Sequence, residues 1–293
     1  GVGCEGAPGR VSPRCIAWQQ SRAMARPHGT SRRLPAALPV APTAWALAAT
    51  LLAGTSPGQQ PIQAAPCFDL QPIRDGANSM LANTTARGVE VRLAKNGADL
   101  FAEAFGTAGL DDRLPIASAT KWLSGAVILS LVDEGLLSLD DTCGQWLPSF
   151  TGQKAAITVR QLFTHTSGLP EGSSVISDPN ITLAQAANQI AQLNLVAVPG
   201  AEFRYGGVSM HVAGRIAELA GGKRWSQLFQ ERIAAPCGMS QTDYFGFGFT
   251  LNPRVAGGAR STAGDYMLFL AMLQNGGLVQ GPQGPVQVLS QGA

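Results

Sequence analysis

The chain has 293 residues, of which 45% are hydrophobic and 14% charged, with a mean hydropathy of +0.08. Those values describe a globular chain able to bury a core, and they exclude a disordered or collagen-like one. The formal charge of +2 hides an asymmetry: six arginines and a single acid lie before residue 66, leaving 15 basic against 18 acidic residues beyond it. The body therefore has no basic stripe to neutralise phosphates, which argues against nucleic acid as a partner.

In chain order, residues 1–23 are rich in Gly, Pro and Arg without apolar period and read as sequence upstream of the fold. From Met24 the order becomes basic (Arg26, Arg32, Arg33), then uncharged from 34 to 54, then Ile62-Gln63-Ala64, with residues at −3 and −1 that a signal peptidase accepts. Pro35, Pro39 and Pro42 break the first half of the apolar run and leave about 12 clean residues, a signal h-region rather than a spanning anchor. Residues 1–65 are thus expected to be an upstream extension plus signal peptide, and 66–293 one exported domain, periplasmic or extracellular, without a retained membrane anchor. Cys67, Cys143 and Cys237 fall in that domain; an oxidising compartment would allow one disulfide, with the pair left open. No CxxC or His/Cys cluster occurs, so neither a metal nor another cofactor is expected.

Period-two alternation on both sides of Asn96-Gly97 predicts a hairpin over residues 89–106. Residues 118–132 are apolar nearly all round a helix that stops at Gly135, so that helix should be buried on most sides. A short segment opened by Asp140-Asp141, a strand or turn at 157–159 and a helical run ending at the His165-Thr166-Ser167-Gly168 turn follow. Val208, Val212, Ile216 and Leu219 mark a helix ending at Gly221-Gly222, and Trp225, Leu228, Phe229 and Ile233 begin another. Ser261-Thr262 caps a last helix over 263–274. Strands first and helices after, without βα alternation, predict an α+β fold: an antiparallel sheet flanked by helices, plus a mainly helical region.

The sharpest chemical feature is Ser118-Ala119-Thr120-Lys121 at the start of the buried helix. Spacing i to i+3 puts the amine on the face of the hydroxyl, beside the positive end of the helix dipole. Burial and that dipole would favour the neutral amine and let it take the serine proton. By chance alone, S-x-x-K arises about once in ~300 residues, so the tetrapeptide does not suffice.

Residues 114–150 and the Leu162-Phe163-Thr164-His165-Thr166-Ser167-Gly168-Leu169-Pro170 segment resemble the β-lactamase-related serine hydrolases. That family contains class C β-lactamases, penicillin-binding D-alanyl-D-alanine carboxypeptidases and family VIII esterases. The resemblance extends through Phe203-Arg204-Tyr205 and the 256–265 segment, covering most of 88–280. It implies Ser118 as nucleophile, Lys121 as its partner and Tyr205 as a second proton carrier, with the division of labour between Lys121 and Tyr205 open. It also implies a small ester, amide or β-lactam substrate, or a peptidoglycan stem peptide. His165 reads as architectural, its ring tying loop backbone together.

Two departures stand out. Gly207 replaces the Asn usual in the Y-x-N motif, removing a side-chain amide and suggesting a more flexible turn. No K-T-G or H-x-G motif follows the 261–277 helix, so the domain is expected to be C-terminally incomplete, lacking strands and one oxyanion donor. Beside an acyl-enzyme hydrolase, a catalytically silent cell-wall-binding protein or an inactive fragment therefore stays open.

Overall fold

The computed structural model describes residues 68–282 and 284–292. The extension, the expected signal peptide and Cys67 lie outside them. Among the described residues, no helix is long and apolar enough to cross a membrane.

Helix α1 (Gln71–Asn83) precedes the hairpin β1 (Gly88–Lys95) and β2 (Ala98–Gly106), paired antiparallel from Gly88↔Gly106 to Lys95↔Ala98. Asn96 (φ 53°) and Gly97 (φ 74°) are both left-handed, the conformation a two-residue hairpin turn needs. The side chain of Arg74 on α1 lies over the Phe101 ring and pairs with Glu103, which places α1 on one face of the hairpin. The opposite face carries Arg92, bonded to Glu90 and Asp111, in a groove shared with α9 (Ala263–Gln274). Thr262 caps α9 by accepting the Asp265 N–H.

The helical region is built around α2 (Thr120–Asp133), whose Leu123, Val127, Ile128 and Leu131 are essentially inaccessible. Burying each such side chain contributes about 1.5–3 kcal/mol. They pack against α6 (Val208–Gly221), α7 (Trp225–Phe229) and the π-helical turn Gln230–Ala234, which runs on into α8 (Ala235–Cys237). The short helices α3 (Cys143–Trp146) and α4 (Val159–Phe163) and helix α5 (Leu183–Ile190) begin at Thr142, Thr158 and Thr182, each facing a Gln at the third helical position in a reciprocal cap. Cys143 and Cys237 are buried free thiols, pushed by burial up to about 12 and about 11.

Two further ladders complete the described strands. β3 (Leu114–Pro115) pairs with β4 (Arg260–Ser261), and β5 (Leu278–Gly281) with β6 (Gly284–Gln287). The β3–β4 pair matters most, because it brings the residues just before Ser118 against a segment more than 130 positions away.

Candidate active site

The approach to Ser118 is fixed by backbone. Beyond the β3–β4 ladder, the Ile116 N–H donates to the Ala259 carbonyl at 3.0 Å. Ala117 then adopts φ 45°, a left-handed conformation uncommon for a residue with a Cβ and a local reservoir of strain. A single 3-10 turn, Ala117–Ala119, leads into α2. The Ala259 N–H donates to Thr120 Oγ1 at 3.2 Å, and the Tyr266 hydroxyl donates to the Ala119 carbonyl at 3.0 Å. The mouth of α2 is therefore clamped from the side of 255–266, and Ser118 is thrust outward.

Lys121, one turn on, donates from Nζ to Ser118 Oγ at 3.2 Å and to the Ala256 carbonyl at 2.9 Å. The same Nζ lies 4.5 Å from the centre of the Tyr205 ring. All three residues singled out from sequence thus meet at one place. Hydrogen bonding from Ser118, then from Lys121, holds the Tyr205 phenol below the ordinary tyrosine range; burial opposes this and the Lys121 charge adds to it. Behind the clamp, Ser124 Oγ donates to the Val255 carbonyl at 2.5 Å and meets the Tyr244 hydroxyl at 2.6 Å.

Two expectations need correction. The helix is buried from Leu123 onward, where it meets its neighbours, but its mouth is not: Ser118 is exposed and Trp122 is 61% exposed. The Tyr205-Gly206-Gly207 turn is pinned rather than loose. The Gly207 N–H donates to the Glu171 carbonyl at 2.8 Å, and a Cβ on Gly206 would stand 2.1 Å from that same oxygen, so only glycine fits. A Cβ on Gly207 would stand 3.0 Å from Ile176 Cδ1 and 3.5 Å from Ala256 Cβ, a hydrocarbon setting. The Ala256 carbonyl escaped sequence reasoning because a backbone acceptor leaves no mark on residue type. Among the described residues, no group of three or more His, Cys, Asp or Glu could hold a metal ion.

A family model, Beta-lactamase, matches residues 77–289. The D-alanyl-D-alanine-carboxypeptidase/endopeptidase AmpH of Escherichia coli strain K12 is 30% identical over 146 residues, 46% of this chain and 37% of that protein. Protein flp of Staphylococcus aureus strain MW2 is 27% identical over 172 residues, 54% of this chain and 34% of its own length. The chain thus spans only about a third of the length of these curated relatives. A crystal structure from Bacteroides dorei DSM 17855, provisionally called a beta-lactamase, superposes with a TM-score of 0.69 at 36% identity, covering 77% of this chain and 68% of that one.

Proposed function

Since this chain belongs to the Beta-lactamase family, we propose that it is an exported serine hydrolase that opens ester, and secondarily amide or β-lactam, bonds through an acyl-enzyme on Ser118. The observation that carries this reading is the placement of Lys121 Nζ 3.2 Å from Ser118 Oγ and 4.5 Å from the Tyr205 ring.

Lys121 is held between Ser118 and the Ala256 carbonyl, donating to both. Tyr205, its phenolate favoured by both neighbours, accepts the Ser118 proton as Oγ attacks the substrate carbonyl carbon. The negative charge that develops on the carbonyl oxygen faces the positive end of α2. Collapse of the tetrahedral adduct breaks the bond to the leaving group, which takes the proton back from Tyr205. Water then attacks the acyl-enzyme and gives a proton to Tyr205; as the second tetrahedral adduct collapses, the bond to Ser118 Oγ breaks and Oγ takes that proton back, restoring the serine hydroxyl and the Tyr205 phenolate. Support for esters over amides comes from Gly207, which offers no amide to a substrate and is lined by Ile176 and Ala256. Export rests on the basic-then-apolar order of residues 24–54. The peptidase named for AmpH is the nearest alternative substrate chemistry, with a peptidoglycan stem as partner.

A fluorophosphonate probe should add to Ser118, and mass spectrometry should lose the adduct in Ser118→Ala. A short-chain nitrophenyl ester should be turned over faster than nitrocefin. Failure of the wild-type chain to form the adduct would favour the second reading, a cell-wall-binding protein without turnover, for which the bare Gly207 position also speaks.

A further inference from the structure

His165 is buried against the site yet takes no part in the steps above. It sits at φ 59°, left-handed, at the end of α4. Its carbonyl accepts the Arg204 N–H at 2.7 Å, and its Nδ1 accepts the Gly206 N–H at 3.4 Å. These two amides bracket Tyr205. The imidazole also lies 4.7 Å from the Tyr205 ring at a tilt of 48°, and 5.6 Å edge-on from Phe203. One residue therefore holds the peptide on both sides of the phenol and packs on the phenol itself.

We propose that His165 is the positioning residue for Tyr205, holding the phenol beside Ser118 and Lys121 only while its ring is neutral and Nδ1 is free to accept the Gly206 N–H. This rests on the reading of Tyr205 as proton carrier. With Nδ1 accepting, the neutral ring carries its hydrogen on Nε2. A second proton would set an N–H against an N–H and add a positive charge near Lys121. The groups around the ring favour neutrality at pH 7. Burial, then the Lys121 charge on α2, depress its pKa below the ordinary histidine range. On the segment that His165 grips, the charged group is Arg204, whose guanidinium is held by Glu202 at 2.8 Å and approached at 3.8 Å by Glu171 of the loop of His165 itself. The Tyr205 ring, 4.7 Å away, completes the surroundings.

The test compares the wild-type chain with His165→Asn and His165→Leu over pH 4.5–8.5, using the nitrophenyl ester. Asn tolerates a left-handed backbone and offers a carbonyl oxygen near the place of Nδ1, but does not titrate. His165→Asn should keep kcat within about threefold at pH 8 and lack the acid limb of the wild type, whereas His165→Leu should lose about tenfold or more in kcat with little change in KM. Equal acid limbs in wild type and His165→Asn, or full kcat in His165→Leu, would overturn the proposal. NMR of the wild type alone decides the matter if the variants do not fold: the Tyr205 13Cζ shift should move in step with protonation of His165, and independence of the two overturns it. Fluorophosphonate labelling of Ser118 in the same wild-type sample reports separately on the hydrolase reading.

Discussion

The mouth of α2 and the polar groups buried behind it are organised on opposite principles. At the mouth, Ser118 and Tyr205 face solvent, the latter 50% exposed, and Lys121 bonds to the exposed Ser118 hydroxyl and to the Ala256 carbonyl. Behind it, His211, Asn252, Ser124 and Tyr244 are buried, and their bonds run to backbone or to one another. His211 Nε2 and Asn252 Oδ1 are 3.1 Å apart, and Asn252 Nδ2 donates to the Val175 and Asp178 carbonyls. Because the Asn252 amide donates twice, its oxygen must accept, which assigns the hydrogen of His211 to Nε2. The pair pins the Ser174–Ser177 turn that presents Ile176 to Gly207. The contrast teaches that the accessible groups of the proposed site rest on a shell whose polar atoms are already bonded to backbone or to one another.

The largest break expected in that shell comes from acid. Burial, opposed in part by the Asn252 bond and assisted by Arg254, pushes His211 down to about 4, and its Nδ1 has no partner. The folded chain therefore keeps the ring neutral while the unfolded chain takes up a proton below the ordinary value near 6.5. This stability is fully present above that value and is lost as pH falls toward 4, by about 3 kcal/mol in all. Urea unfolding of wild type and His211→Gln between pH 7.5 and 4.5 measures it. The variant should show a shallower decline, and equal slopes would show that the buried histidine contributes nothing to the acid response.

A smaller effect, on the same side of the comparison, is expected at Ser124. Ser124→Ala takes from the Val255 carbonyl and from the Tyr244 hydroxyl the bond each makes to Ser124 in the core, at a cost of about 2 kcal/mol. Removing the phenolic hydroxyl as well, in Ser124→Ala/Tyr244→Phe, should recover part of that loss. Thermal unfolding of the single and double variants decides; a double variant less stable than the single one would contradict the assignment of the loss to stranded polar groups.

The two regions also differed in how far the amino-acid sequence disclosed them. The 96–97 turn, the Ser118 to Lys121 spacing and the Thr262 cap are local, and each lies where the pattern of residue types predicts. Tyr205 came only through the resemblance, because nothing local draws a phenol 84 positions away toward a helix mouth. Helix α1 was not expected, having a single fully buried residue, Ala77, and so little apolar stripe to read. Helix α5 carries a local signal that the apolar pattern does not show, Thr182 with Gln185 three positions on. Trp122 counted as core by type yet is exposed, since the packing partners of α2 begin one residue later. The resemblance did disclose that the His165 ring ties loop backbone, as its bond to the Gly206 N–H shows, whereas the Ala256 carbonyl is a backbone acceptor that sequence does not display.

Gly207 lies on the border between the two regions, and changing it should have the least effect on stability and the most informative effect on substrate choice. It is the N-cap of α6 at φ −107°, a conformation open to any residue, and the nearest obstacle to a Cβ is the end of the Ile176 side chain. Asn is a slightly better N-cap than Gly, by a few tenths of a kcal/mol, while displacement of Ile176 costs a similar amount, so Gly207→Asn should change stability by less than about 1 kcal/mol. What it adds is an amide between Ile176 and Ala256, beside the carbonyl that holds Lys121. If the bare position is what favours esters, the ratio of nitrocefin to nitrophenyl-ester kcat/KM should rise in the variant, by about tenfold for one added hydrogen bond to substrate. An unchanged ratio in a folded variant would mean that this border does not set the preference, and that the hydrocarbon lining at Gly207 belongs with the inert shell rather than with the reactive mouth.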